Sequence, residues 1–217
     1  MVLHDLSLFN SSFFFTTDAD KALADNSYKK VYRQSMAKAS AIWNHTRSTK
    51  AADAAFDIVG CRFSVPCVTR WNSYYVSVKT LIAHDDKLSE VCKSLGLPPF
   101  IQLELNFLKE YVSLMGPVAQ SIDMLQGDQN CGLGYVLPTI TTLRKKINQT
   151  ELKYARSMQQ SLLKGNDNRF GQYFHDKEFL LAAVTNPRFK LSWVDDSTGT
   201  LRNNCADLLE QGKPTTL

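Results

Sequence analysis

The chain has 217 residues, of which 44% are hydrophobic, 21% charged and 11% aromatic, which is typical of a folded protein and excludes a disordered tail. Its 25 lysines and arginines against 21 aspartates and glutamates leave a net charge of +4, a mild excess that permits contact with nucleic acid without arguing for it. No apolar run approaches the roughly 18 residues that a transmembrane helix needs, so no membrane span is predicted.

Apolar residues recur at spacings of three and four along most of the chain, which predicts helices. In the first half the predicted helices cover residues 28–43 and 51–58, then a third helix that follows Thr69 and ends near Asp85, and a fourth at 87–95. Ser48 is expected to cap the second helix and Gly60 to end it. Between that helix and the next, residues 62–68 contain Pro66 and predict an extended connector or an edge strand.

The second half begins with the strongest helical pattern, residues 101–125, which Pro117 is expected to kink or divide. Two further helices are predicted at 135–147 and 151–163, followed by a Gly-Asn-Asp-Asn turn at 165–168. The remaining predicted helical pieces are a short one around Phe170, then 179–184 and 203–210. The periodicity therefore predicts a mostly α-helical protein, with at most one or two short strands near residues 60–68.

Sites for metals and for covalent chemistry are poorly supported. The cysteines are scattered without a Cys-x-x-Cys pair, which leaves a zinc finger unsupported and favours reduced thiols: Cys61, Cys67, Cys92, Cys131 and Cys205. His84-Asp85-Asp86 is more typical of the solvated end of a helix than of a metal site. Neither a nucleophile elbow nor a phosphate-binding glycine loop occurs. We predict no catalytic residue, no metal and no cofactor.

One short segment combines a cation, a large aromatic ring and an amide: Arg70-Trp71-Asn72. These groups can hold a phosphate, stack on an unpaired base and hydrogen-bond its edge. The alternative is that Trp71 is a core aromatic residue at the start of a helix, with Thr69 or Asn72 as the cap. A second cationic cluster, residues 144–146, is usually no more than a solvated helix face.

The string Thr-Arg-Trp-Asn-Ser at 69–73, followed by an amphipathic helix, resembles the hAT superfamily of DNA transposases and their domesticated relatives. Three more segments resemble motifs of this superfamily and occur in the same order along the chain. Residues 2–8 are similar to the end of the family's C-x-x-H-x-L-x-L segment, with Met1 in place of the cysteine. Residues 107–139 are similar to its central helical region, and residues 183–190 to its L-D-P-R-F-K element, with Asn186 in place of aspartate.

The resemblance implies a large all-helical insertion within an RNase H-like catalytic core. Residues 26–217 would form the helical domain, and residues 1–25, with Phe13, Phe14 and Phe15, would be a poorly packed vestige of that core. Arg70 would contact a phosphate, and Trp71 would stack on a base turned out of the duplex. Residues Lys79 and 144–146 would have to add charge for binding to be detectable.

The resemblance also implies that this chain is catalytically inactive. The family's Asp, Asp and Glu metal ligands fall outside this chain, so it is expected to be no enzyme and to take no small-molecule substrate. The first hypothesis is therefore a catalytically inactive transposase-derived fragment that binds DNA weakly, with a nuclear location by resemblance, a cytoplasmic one otherwise, and no secretion. The alternative is a helical protein-interaction scaffold without a nucleic-acid role.

Overall fold

The computed structural model describes residues 26–67, 72–126 and 132–194, with the single residues 199, 202, 203, 205 and 206. All regular secondary structure in these residues is helical and none is strand, which confirms the predicted all-α class. The edge strand considered for 62–68 is wrong for its described part, because residues 62–67 form an irregular connector. No helix of the described residues is long and apolar enough to cross a bilayer.

The α-helices are α1 Asn26–His45, α2 Thr49–Val59, α3 Ser73–Ile82, α4 Leu88–Ser94, α5 Gln102–Gln126, α6 Val136–Gln149, α7 Arg156–Phe170 and α8 Lys177–Thr185. Two 3₁₀ helices, Leu133–Tyr135 and Gly171–His175, precede α6 and α8. Most of these helices lie where the apolar spacing predicts them. The helix predicted at 203–210 is described only in part, at residues 203, 205 and 206, all helical.

The chain divides into two compact units, each described by itself below. The first comprises Met1–Ala119 and Thr150–Leu162, and the second Gln120–Gln149 and Leu163–Leu217. The expected boundary between residues 25 and 26, and the vestige of an RNase H-like core at 1–25, lie outside the described residues. These two expectations stay predictions.

The core of the first unit is built by the apolar faces of its helices. Its fully buried side chains include Ala39, Ile42, Val78, Leu81, Val91, Phe107, Leu108 and Leu114. Tyr28, Tyr32 and Phe107 form an aromatic cluster whose ring centroids lie 5.9–6.1 Å apart. Desolvation in this cluster raises the pKa values of both tyrosines above their ordinary value.

A buried carboxylate fixes the start of α5. Glu104, only 2% exposed, accepts a hydrogen bond from the backbone N–H of Ile101 at 2.9 Å and one from the Lys38 ammonium at 2.7 Å. The first of these is half of a capping box, in which the third residue of a helix reaches back to the residue before it. Lys38 also donates to the carbonyl of Pro99 at 2.8 Å, so α1 and the start of α5 are joined by charge.

Helix α5 runs unbroken from Gln102 to Gln126 through Pro117, so of the two expected effects of this proline, a kink or a division, the division is wrong. The proline removes one backbone donor, but the residues on both sides of it are buried. Leu114, Met115, Val118 and Ala119 are each at most 4% exposed. Burial along this face stabilises the helix by several times the roughly 3 kcal/mol that an interior proline costs.

Three local expectations need correction. Ser48 stands at the N-cap of α2 but makes no side-chain capping bond, whereas Gly60 ends α2 as predicted, with φ +82°. Helix α7 begins at Arg156, five residues after the predicted start. The turn predicted at 165–168 is wrong, because these residues belong to α7. Asn166 is 1% exposed there and Phe170 is fully buried, so tertiary packing outweighs the weak helix propensity of Gly and Asn.

The core of the second unit lies between α6, α8 and the segment after α8. Its buried members are Leu137, Leu180, Ala183, Val184, Trp193, Val194 and Cys205. Partly buried aromatic residues pack around them: Tyr173, Phe174, Phe179 and Phe189. The expected helix around Phe170 is the end of α7 followed by the 3₁₀ helix Gly171–His175.

Candidate nucleic-acid interface

The two residues expected to contact DNA, Arg70 and Trp71, lie in the segment 68–71, outside the described residues. The choice between Trp71 as a stacking ring and Trp71 as a core residue therefore stays open. The residues that flank this segment are described, and they define the surroundings of the predicted site.

Ser73 joins the two sides of the segment. Its hydroxyl donates a hydrogen bond to the carbonyl of Cys67 at 2.7 Å and accepts one from the Cys67 backbone N–H at 3.0 Å. A single hydroxyl thus satisfies both backbone groups of one residue, which fixes the start of α3 to the end of the connector. Asn72, an expected cap, stands at the N-cap of α3 but makes no side-chain capping bond.

Helix α3 carries an exposed aromatic ring, that of Tyr74, directly after Ser73. Tyr74 is 45% exposed, and its ring packs edge to face with the buried Trp43 ring, with 5.8 Å between the centroids and 84° between the planes. The contact with Trp43 restricts the motion of the Tyr74 ring. A ring held in this way loses little entropy when a base stacks on it.

The cation expected to assist, Lys79, is exposed on the same helix. Its ammonium lies 5.8 Å from the centroid of the Tyr75 ring, one helical turn away. Tyr74 and Lys79 are five residues apart, about 7.5 Å along the axis and roughly 140° around it. They therefore lie on different sides of α3, and a strand contacting both would have to wrap part of the way around this helix.

In the second unit, two segments that carry the resemblance are in contact. A Cβ added at Gly134 would clash with the backbone carbonyl of Ala182 and lie 3.2 Å from Asn186 Nδ2. The adjacent Tyr135 ring meets the Phe189 ring edge to face at 4.9 Å, and the Arg188 guanidinium lies 5.9 Å from the Tyr135 centroid. Glycine before tyrosine is what this close approach requires.

Asn186, which stands where the hAT motif that this segment resembles has an aspartate, accepts hydrogen bonds as an aspartate in a turn would. Its Oδ1 accepts the Arg188 backbone N–H at 3.0 Å, and its carbonyl accepts those of Phe189 and Lys190. Either side chain can supply this oxygen, so the turn tolerates the replacement. Lys190 then takes a left-handed conformation with φ +49°. Arg188 and Lys190 are both exposed cations, and neither was predicted from the sequence to belong to a site. The one sequence feature that could have pointed to them is the resemblance at residues 183–190.

The cluster Arg144-Lys145-Lys146 lies on α6 and is mostly engaged within the second unit. Arg144 pairs with Asp167 at 2.8 Å and lies 6.0 Å from the Phe174 ring centroid. Lys146 donates to the side-chain carbonyl of Gln120 at 3.2 Å. Lys145 is exposed. The interpretation of this cluster as a helix face fits these contacts better than a role as a free cationic patch.

The described residues contain no group of three or more His, Cys, Asp or Glu side chains that could hold a metal ion. Of the His84-Asp85-Asp86 cluster, His84 lies 3.1 Å from the Cys61 sulfur. Asp85 pairs with Lys109 at 2.6 Å, and the hydrogen bond from this lysine lowers the pKa of the Asp85 carboxyl. The two side chains thus have different partners and do not converge on one point.

Comparison of the chain with protein-family models, with curated proteins and with solved structures found no match. A function for this chain therefore has to be argued from its own residues and from the motif resemblance.

Proposed function

We propose that this chain is the helical insertion region of a protein related to hAT transposases, and that it binds DNA weakly through Arg70, Trp71 and the start of α3. The observation that carries the proposal is the exposed ring of Tyr74, which contacts Trp43 and lies three residues after Trp71 in the chain. The contact between Gly134-Tyr135 and the turn at Asn186 supports it further, because two segments of the resemblance build one local structure.

The roles follow from the chemistry of each side chain. Arg70 contacts a backbone phosphate, Trp71 stacks on an unpaired base, and Lys79 adds a second phosphate contact. One stacked base contributes about 1–3 kcal/mol. Association costs roughly 4 kcal/mol or more in lost translational and rotational freedom. Detectable affinity therefore depends on the cations, and it should fall steeply as salt rises.

The proposal assigns binding and no chemical step to this chain. No aspartate or glutamate in it stands at a motif position that the resemblance makes catalytic, and no metal, cofactor or small-molecule substrate is invoked. A nuclear location belongs to the same proposal, because a protein that contacts chromosomal DNA must reach it.

The salt dependence of binding tests the role of Lys79. Binding to a fluorescent single-stranded oligonucleotide is measured by anisotropy from about 20 to 200 mM salt for the wild type, Lys79→Ala and Lys87→Ala. Lys87 is an exposed lysine of the turn after α3 and serves as a charge-matched control. Losing one phosphate contact should reduce the slope of log K against log salt by about 0.7. Equal slopes for the two variants would contradict the role of Lys79.

The second candidate function is a protein-interaction scaffold, which one observation favours. Four large apolar side chains of the first unit are substantially exposed: Phe56 at 44%, Tyr74 at 45%, Val76 at 40% and Ile101 at 55%. A partner protein that covered such side chains would remove apolar surface from water, which favours association. If the wild type binds neither single-stranded nor hairpin DNA at 20 mM salt, the scaffold function becomes the better account.

A further inference from the structure

A thiol and an imidazole meet in the first unit, and neither belongs to a residue proposed to contact DNA. The sulfur of Cys61 lies 3.1 Å from Nε2 of His84. Cys61 follows Gly60, the left-handed residue that ends α2, and His84 lies in the turn after α3. The two side chains are brought together because two helices end at the same place.

Both members of this pair are within reach of solvent. Cys61 and His84 are each partly buried, whereas Cys92 and Cys205 are 1% and 0% exposed. Cys61 is therefore more accessible to a small reagent than the two core cysteines. The neighbouring carboxylate of Asp85 pairs with Lys109 at 2.6 Å. The basic group at hydrogen-bond distance from the Cys61 thiol is the imidazole of His84.

The pairing is that of a nucleophile with its base. A thiol reacts as the thiolate, and an ordinary cysteine is only a few per cent ionised near neutral pH. An imidazole at hydrogen-bond distance accepts the thiol proton as the sulfur attacks, so the reaction does not depend on the small fraction of thiol that is already ionised. Exposure alone would make Cys67, the most exposed of the described cysteines, react first. With His84 as its base, Cys61 is expected to react faster than Cys67.

We propose that Cys61 is a thiol-modification site that reacts with small disulfides, with His84 as its general base. The Cys61 proton moves to His84 Nε2 as the sulfur attacks one sulfur of the disulfide. A new S–S bond forms to Cys61 and the original S–S bond breaks. The leaving thiolate takes the proton from the imidazolium, so Cys61 is oxidised, the leaving sulfur is reduced, and one free thiol is released. The site does not depend on the proposed DNA contacts.

The test measures how fast each cysteine of the full chain forms a mixed disulfide with glutathione disulfide, by quenching with acid and locating the adducts by mass spectrometry. The wild type should be modified faster at Cys61 than at Cys67. His84→Asn should slow Cys61 by about tenfold or more, because the variant lacks the base that accepts the thiol proton. The rate at Cys67 should not change. His45→Asn, at an exposed histidine at the end of α1, should leave both rates unchanged.

Two results would overturn the proposal. One is a wild-type chain in which Cys67 reacts as fast as Cys61 or faster, a comparison that needs no variant and so does not depend on whether any variant folds. The other is a folded His84→Asn protein, with the wild-type far-UV spectrum, in which Cys61 still reacts at its original rate. His84→Gln serves as the second variant if the asparagine form does not fold.

Discussion

The carboxylate of Glu110, on α5, caps the start of α7 by accepting the backbone N–H of Ala155 at 2.9 Å. The same carboxylate accepts the N–H groups of Tyr154 at 2.8 Å and Lys153 at 2.9 Å. Three donors that would otherwise lack partners before a helix are thus satisfied by one side chain more than forty residues away in the chain. The negative charge also lies at the positive end of the helix dipole.

This contact makes Glu110 a residue whose removal should be costly. We expect Glu110→Gln to lower the free energy of unfolding by about 1–3 kcal/mol, because the uncharged amide oxygen accepts these bonds more weakly and its NH₂ group faces backbone donors. Urea denaturation followed by circular dichroism measures the change. Glu90→Gln, an exposed glutamate in the first turn of α4, is the matched control and should cost less than about 0.5 kcal/mol. Equal costs for both variants would show that the cap contributes nothing.

The close approach at Gly134 predicts a second sensitive position. Gly134→Ala should destabilise the protein by about 1–3 kcal/mol or more, because the new methyl group meets the backbone carbonyl of Ala182 and not a flexible side chain. Gly132→Ala is the control, since a Cβ at that residue meets nothing within 4 Å and its φ of −98° suits any residue. Thermal unfolding of the two variants should therefore give clearly different melting temperatures. A Gly134→Ala protein as stable as Gly132→Ala would mean that the backbone of α8 gives way.

The pair between Lys38 and Glu104 is expected to act as a unit. Lys38→Met leaves the carboxylate of Glu104, 3% exposed, without its cation and should cost about 3 kcal/mol. The double variant Lys38→Met with Glu104→Gln should recover part of that loss, because the buried charge is then gone as well. Lys30→Met, an exposed lysine on the same helix, controls for the loss of one charge. A double variant less stable than Lys38→Met alone would contradict this account.

The sequence predicts the helices whose positions are set by neighbouring residues, and it fails where residues distant in the chain decide the structure. The positions of α1, α2, α3, α6 and α8 could be predicted, because their apolar spacing and their end signals are local. The start of α7 could not, because the groups before it are capped by Glu110 from another helix. The continuation of α7 through Gly165 and Asn166 was missed for the same reason, since burial against distant residues decides it.

The candidate site divides in a similar way. Arg70, Trp71 and Lys79 could be named from the sequence because a cation beside an aromatic ring is a local pattern. The bond between Ser73 and Cys67, the support of Tyr74 by Trp43 and the contact of Tyr135 with Arg188 all join residues that only the fold brings together. The same holds for Cys61 and His84, which the sequence showed as an isolated thiol and as part of an acidic cluster.

The most direct test of the proposed function is the substitution of Trp71, with binding and stability measured on the same samples. Wild type, Trp71→Ala and Trp71→Phe are titrated with fluorescent hairpin DNA at low salt, and each is melted by circular dichroism. Phenylalanine keeps a stacking face, so Trp71→Phe should bind better than Trp71→Ala.

The account predicts that Trp71→Ala weakens DNA binding by about fivefold or more, the loss of roughly 1 kcal/mol or more of stacking, with an unchanged melting temperature. The contradictory result is a Trp71→Ala protein that loses about 3–5 kcal/mol of stability, as a buried aromatic residue would, while neither it nor the wild type binds DNA.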